Sequence, residues 1–408
     1  MKKINDDSGY NNYNTGYYYP FACLRIHDKK SFKVLMFHCF NVTYHALVFK
    51  HPSNEMYYSI INLLCYTKLH LFMLRKKWLR VLLIVFAVII LVYSLGPRPK
   101  APLYSHALPQ VPANADSLEN YIKQNEAQHK LKPNNEARIV WFDSSKQKTE
   151  YSIVYLHGFS ASQEEGRPIH TNIAKEFGCN LYLSRLAEHG IDTTNPMMNL
   201  TADKLWESAK QALQIGKQIG NKVILMSTST GGTLSLKLAA EYPNDVYALI
   251  MMSPNIAINN NKAYLLNNPW GLQIARAVTG SDYITAKDTR PVYKQYWYWR
   301  YPLEPTVQLQ EFIETSMTKQ TFEKVKQPVL LLYYYKDDMH QDSVVSVPAM
   351  LNMYKELGTP INKKVKMDMP FAGNHVLGSY IKSKDLLDVQ QAIEKFMKHT
   401  LKMQKMRE

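Results

Sequence analysis

From residue 139 to residue 401, short apolar runs alternate with stretches of helical period, and few folds accommodate that rhythm. The sequence predicts strands at 139–142, 151–156, 180–183, 222–226, 246–252, 329–334 and 364–368. Between them it predicts helices at 167–177, 201–219, 230–241, 347–357 and 385–401, with an earlier helix near 117–130. The strands are apolar along their whole length rather than alternating. Such strands are buried on both faces, so the expectation is an α/β domain with a mainly parallel sheet and helices on either side. Residues from about 255 to 327 break the rhythm and are too long for a plain connection. They read as an inserted cap.

The first hundred residues differ in kind. They carry 14 Lys/Arg against 4 Asp/Glu, and most of the chain's net charge of +15 resides there. Residues 78–95 read WLRVLLIVFAVIILVYSL, long enough to span a bilayer as a helix. Arg75, Lys76, Lys77 and Arg80 lie at its start, and Gly96-Pro97-Arg98-Pro99 ends it. This bias predicts a transmembrane signal-anchor over 73–96, with the C-terminal domain on the non-cytoplasmic side. No A-x-A cleavage site follows directly on the run. Residues 1–72 show neither helical nor strand period and read as a poorly ordered tail, or as a mis-assigned extension before Met73. Residues 97–137 read as a linker. No basic stripe interleaved with aromatics occurs in the rest of the chain, so no nucleic-acid partner is expected. Only Cys179 lies beyond the apolar run, so the main domain does not depend on disulfides. It reads as a small buried hydrophobe.

The strongest chemical signal is Ser227-Thr228-Ser229-Thr230-Gly231-Gly232, between an apolar strand and a helix. A serine on a sharp strand-to-helix turn projects its hydroxyl clear of the sheet, and the helix N-terminus aims amides at a developing oxyanion. Ser229 is therefore the candidate nucleophile, although Ser227 stands where G-x-S-x-G has its first glycine. Leu156-His157-Gly158-Phe159-Ser160 follows the second strand. Its Phe159 amide and the Thr230 amide are the candidate oxyanion donors. His157 reads as structural. His375, in Gly373-Asn374-His375, follows the last strand and is the candidate general base. The acid is open. Counting from the strand end favours Asp338, and the pattern of an Asp two residues before paired valines favours Asp342. Asp342 is the first choice, Asp338 the second and Asp337 the third. The aromatic segment 293–302 could line a pocket or simply pack the cap.

Taken together, LHGFSAS at 156–162, RLAEHG at 185–190, STSTGG at 227–232, QDSVV at 341–345 and GNH at 373–375 resemble the α/β-hydrolase superfamily. The resemblance spans about 138–402 and is closest to its serine esterase, monoacylglycerol lipase and S33-like group. It implies an α/β-hydrolase fold over 138–408 and hydrolysis of a carboxylic ester through an acyl-enzyme on Ser229, Asp342 and His375. It implies no cofactor and no metal, and a small-molecule or lipid ester as substrate. It also implies that His189 is structural. The alternatives are a peptidase or acyltransferase on the same residues, or a catalytically silent domain serving as a membrane-bound binding module.

Overall fold

The computed structural model describes the backbone of residues 25–29, 32–39, 42–48 and 55–406, and side chains from residue 70 to residue 406. Of the poorly ordered tail or extension expected over 1–72, residues 1–24, 30–31, 40–41 and 49–54 lie outside the described residues. The chain divides into two units, one ending at Ile89 and one beginning at Ile90. In the first, strands Arg25–Lys29, Phe32–Cys39 and Val42–Val48 form an antiparallel sheet. One helix, Glu55–Ser94, follows, and its stretch His70–Ser94 is long and apolar enough to cross a membrane.

The second unit is built on seven strands: β1 (Arg138–Val140), β2 (Thr149–Leu156), β3 (Asn180–Leu183), β4 (Gly220–Thr228), β5 (Val246–Met252), β6 (Val329–Tyr333) and β7 (Lys364–Asp368). Their order across the sheet is β7-β6-β5-β4-β2-β3-β1. All neighbours are parallel except β1, which runs antiparallel to β3 at the edge.

The continuous apolar runs are explained by burial on both faces. Val154, Leu225, Leu249 and Leu331 point into one core with the helices Ala202–Ile219 and Thr230–Glu241. Ile153, Ile224, Ile250 and Leu330, one residue out of step, point into the other with Ile169–Glu176 and Leu386–His399. A period of two thus feeds two cores from each strand. Helix starts are capped by the residues the sequence offers: Thr201 Oγ1 accepts from the Lys204 amide and Ser346 Oγ from the Ala349 amide.

Between β5 and β6 the chain leaves the sheet. It forms helices Gly271–Thr279, Pro291–Tyr296, Glu304–Ser316 and Lys319–Lys324, and a small hairpin pairing Tyr283–Thr285 with Arg300–Pro302. Residues 103–107 do not hang free. Tyr104 packs edge-on against Trp206 and Phe312. The Lys210 ammonium donates to the carbonyls of Ser105 and Ala107, and the Trp206 indole donates to Ser105 as well.

Candidate active site

The parallel strands place every candidate residue at one edge of the sheet, beyond their carboxyl ends. β4 ends at Thr228 and the next helix begins at Thr230, leaving one residue, Ser229, to make the turn. Its backbone takes φ 53° and ψ −117°, a conformation that L residues rarely adopt. The turn is possible because its neighbours are small. A Cβ on Gly231 would collide with the Leu156 carbonyl at the end of β2, and one on Gly232 with Pro254. Ser227, by contrast, is accommodated, buried and close to the Ile250 carbonyl. A glycine is not needed at that position here.

Thr230 follows Ser229 directly, and Phe159 follows Gly158, on which a Cβ would lie 3.1 Å from the Ser229 Cβ. Among the described residues, neither amide donates to a backbone or side-chain acceptor. For Thr230 this follows from its place in the first turn of a helix. The loop carrying Phe159 is clamped by two histidines. His157 Nδ1 bonds the Gly158 carbonyl and Nε2 accepts from the Leu186 amide. His189 Nδ1 bonds the Ala187 carbonyl and Nε2 accepts from the Ser160 amide. Each ring therefore carries one proton, on Nδ1. Burial agrees: it drives His157 far below its ordinary value and His189 to about 4. Both are loop clamps held neutral.

Asp342 and His375 meet at 2.6 Å, Oδ2 to Nδ1. Asp342 is almost fully buried, and its other oxygen accepts the Val344 and Val345 amides. Burial alone would raise this carboxyl. The His375 charge and hydrogen bond, with the two amides, outweigh burial and hold it below its ordinary value. Burial would likewise lower His375, but Asp342 and then Glu165 raise it. Asp338 and Asp337 stand elsewhere, exposed: Asp338 accepts from the Tyr335 hydroxyl, and Asp337 pairs with His340. With Nδ1 committed to Asp342, the free nitrogen of His375 is Nε2. Ser229 and His375 are 6 % and 9 % exposed, so the site is nearly sealed.

The aromatic segment divides. Tyr293, Tyr296 and Trp297 form a buried cluster with Ala161, Val376 and Ile381, beside the residues just described. Tyr298 is buried with the main core and hydrogen-bonds Ile191, whereas Trp299 faces solvent. Cys179 is buried, and burial pushes its thiol up to about 12, so it is no nucleophile. No group of three or more His, Cys, Asp or Glu able to hold a metal occurs among the described residues.

One group at the site had no sequence signal. Glu165, in the turn Gln163–Gly166, is buried against the Gly158 amide. Nothing in a run of two glutamates marks the second as an inward-facing one.

No protein-family model matches the sequence, and no curated protein matches it. Among solved structures, a metagenome-derived lipolytic enzyme is similar at TM-score 0.53 and 16 % identity, covering 66 % of this chain and 99 % of its own. The monoacylglycerol lipase of Paleococcus ferrophilus gives TM-score 0.46 and 14 % identity, over 64 % of this chain and 98 % of its own. A soluble variant of the Saccharomyces cerevisiae monoglyceride lipase gives 0.44 and 15 %, over 65 % and 92 %. By strand order, by the turn at Ser229 and by its likeness to the first of these structures, the domain built on β1–β7 has the α/β-hydrolase fold.

Proposed function

We propose that this chain is a serine hydrolase that cleaves carboxylic esters. The observation that carries the reading is the strained turn at Ser229, set at the same sheet edge as the buried His375–Asp342 pair. Ser229 Oγ attacks the ester carbonyl carbon while His375 Nε2 takes its proton. The Phe159 and Thr230 amides donate to the oxyanion. The tetrahedral adduct collapses, His375 returns the proton to the leaving alcohol, and the acyl group stays on Ser229. Water then attacks the acyl-enzyme, giving its proton to His375, and the acid leaves as Ser229 recovers the proton. Asp342 holds Nδ1–H throughout and stabilises the imidazolium.

The lipolytic neighbour supports an ester as substrate, and the buried aromatic cluster at 293–297 suits an apolar acyl or alkyl group. The helix at 70–94 anchors the enzyme in a membrane, with the hydrolase domain on the non-cytoplasmic side because of the basic residues before it. A fluorophosphonate probe tests the chemistry: labelling that vanishes in Ser229→Ala is expected, and labelling that survives the substitution would sink the assignment. Reporters fused after Lys132 test the topology. Activity from a reporter that works only in the cytoplasm would reverse it.

A further inference from the structure

Glu165 takes no part in the mechanism above, yet it is 2 % exposed and sits at the reacting centre. Its Oε2 accepts the Gly158 amide at 2.5 Å. A Cβ on Gly158 would lie 2.9 Å from both Glu165 carboxyl oxygens and 3.1 Å from the Ser229 Cβ. The carboxyl and the nucleophile therefore border the same backbone unit, one residue before the Phe159 amide.

The turn that presents Glu165 is held from three sides. Ser162 Oγ caps it through the Glu164 amide. Gly166 lets it press onto the rings of Tyr155 and His170, where any Cβ would clash. Ser379 Oγ donates to the Glu164 carbonyl and the Tyr380 amide to the Arg167 carbonyl, which ties the turn to the segment following His375. The titratable groups facing the carboxyl are His375, Tyr155 on β2 and Tyr293 in the cap. Among the described residues no Lys or Arg pairs with it. Burial pushes it up to about 7, against the lowering pull of the Gly158 amide, His375 and Trp297.

We propose, resting on the reading of Ser229 and His375 as the reacting pair, that Glu165 is a positioning residue of the oxyanion loop. It grips the Gly158 amide and so turns the next amide, of Phe159, toward the oxygen of an adduct on Ser229. Its charge also faces His375 and favours the imidazolium. A glutamine would keep the first action and lose the second; an alanine would lose both.

The test compares wild type, Glu165→Gln and Glu165→Ala as full chains in detergent. The readouts are kcat, KM and the pH profile on a p-nitrophenyl ester, with the rate of fluorophosphonate labelling. Glu165→Ala is expected to lose about tenfold or more in kcat with KM little changed, the signature of a displaced oxyanion donor. Glu165→Gln should recover most of that loss and move the acid limb of kcat/KM to lower pH. A kcat in Glu165→Ala equal to wild type would overturn the proposal. So would a Glu165→Gln enzyme as slow as the alanine variant. Should Glu165→Ala not fold, Glu165→Gln alone decides, because an unmoved acid limb overturns the proposal. A wild type neither labelled nor active would overturn the function as well, whereas an active, labelled wild type matched by Glu165→Ala would overturn only the role of Glu165.

Discussion

Asp338 and Asp342 lie one short hairpin apart, and only the second reaches His375. The paired valines single out Asp342 because their amides, Val344 and Val345, are what it accepts. Replacing Asp342 with Asn keeps the size but donates to Nδ1 instead of accepting from it, which fixes the wrong imidazole tautomer. We expect Asp342→Asn to cost about four orders of magnitude in kcat, by analogy with a comparable triad. Asp338→Asn should stay within about threefold, since its carboxylate serves only an exposed Tyr335 hydroxyl. Steady-state kinetics of both variants on one short-chain ester decide it. The pH profile follows from the same contact. His375 must be neutral to accept the serine proton. Against burial, Asp342 raises its pKa above that of an ordinary imidazole, so the ring becomes protonated, and kcat/KM falls, as pH drops through that raised value. An acid limb centred below the ordinary imidazole range would contradict the geometry.

At the scale of elements, the sequence was most readable where strands feed both cores. Asn180–Leu183, Thr230–Glu241 and Val246–Met252 run as their apolar patterns predict, and so does the edge strand Lys364–Asp368. Boundaries drifted where the signal is not local. β4 extends past its apolar stretch at both ends, from Gly220 to Thr228, because β2 pairs with it at Gly220 and Ser227, and β5 at Ser227 and Thr228. The predicted strand at 139–142 stops at Val140, an edge strand with a single partner. The candidate site was legible as far as candidate residues announce themselves by position after a strand, which Ser229, His375 and Phe159 do. Glu165 was not, because its role arises from a turn folded back under Gly158 and from packing against Tyr155. The junction of β2, β4 and the helix after Ser229 also makes a stability prediction. Gly231→Ala would drive a methyl into the Leu156 carbonyl, a backbone atom that cannot rotate away. A loss of about 2–4 kcal/mol is expected in urea unfolding, and a neutral result would mean the turn can widen.

At the scale of the whole molecule, the segment after the apolar helix belongs to the hydrolase unit rather than leading up to it. Tyr104 fills a gap between Trp206 and Phe312, with its hydroxyl bonded to Thr315 Oγ1 at 2.6 Å. Tyr104→Ala should cost about 2–4 kcal/mol in urea unfolding, comparable with losing a core aromatic. A cost below about 0.5 kcal/mol would show that the segment is a passive tether. Its composition hides this, because the holding is spread over Tyr104, Leu108 and Val111 against the core and a few backbone groups of 103–107. The near-complete enclosure of Ser229 bears on the enzyme's timing. With the hydroxyl so enclosed, we expect ester entry to require the cap around 293–297 to swing aside, and that segment is fastened to the body partly through the Lys132 ammonium and two carbonyls, those of Lys294 and Trp297. Such a swing displaces solvent, whereas acyl transfer between groups already in contact does not. For esters with good leaving groups, kcat should therefore drop in proportion as glycerol thickens the medium, and Lys132→Met, by loosening the fastening, should flatten that dependence. Turnover indifferent to viscosity would put the clock back in the chemistry.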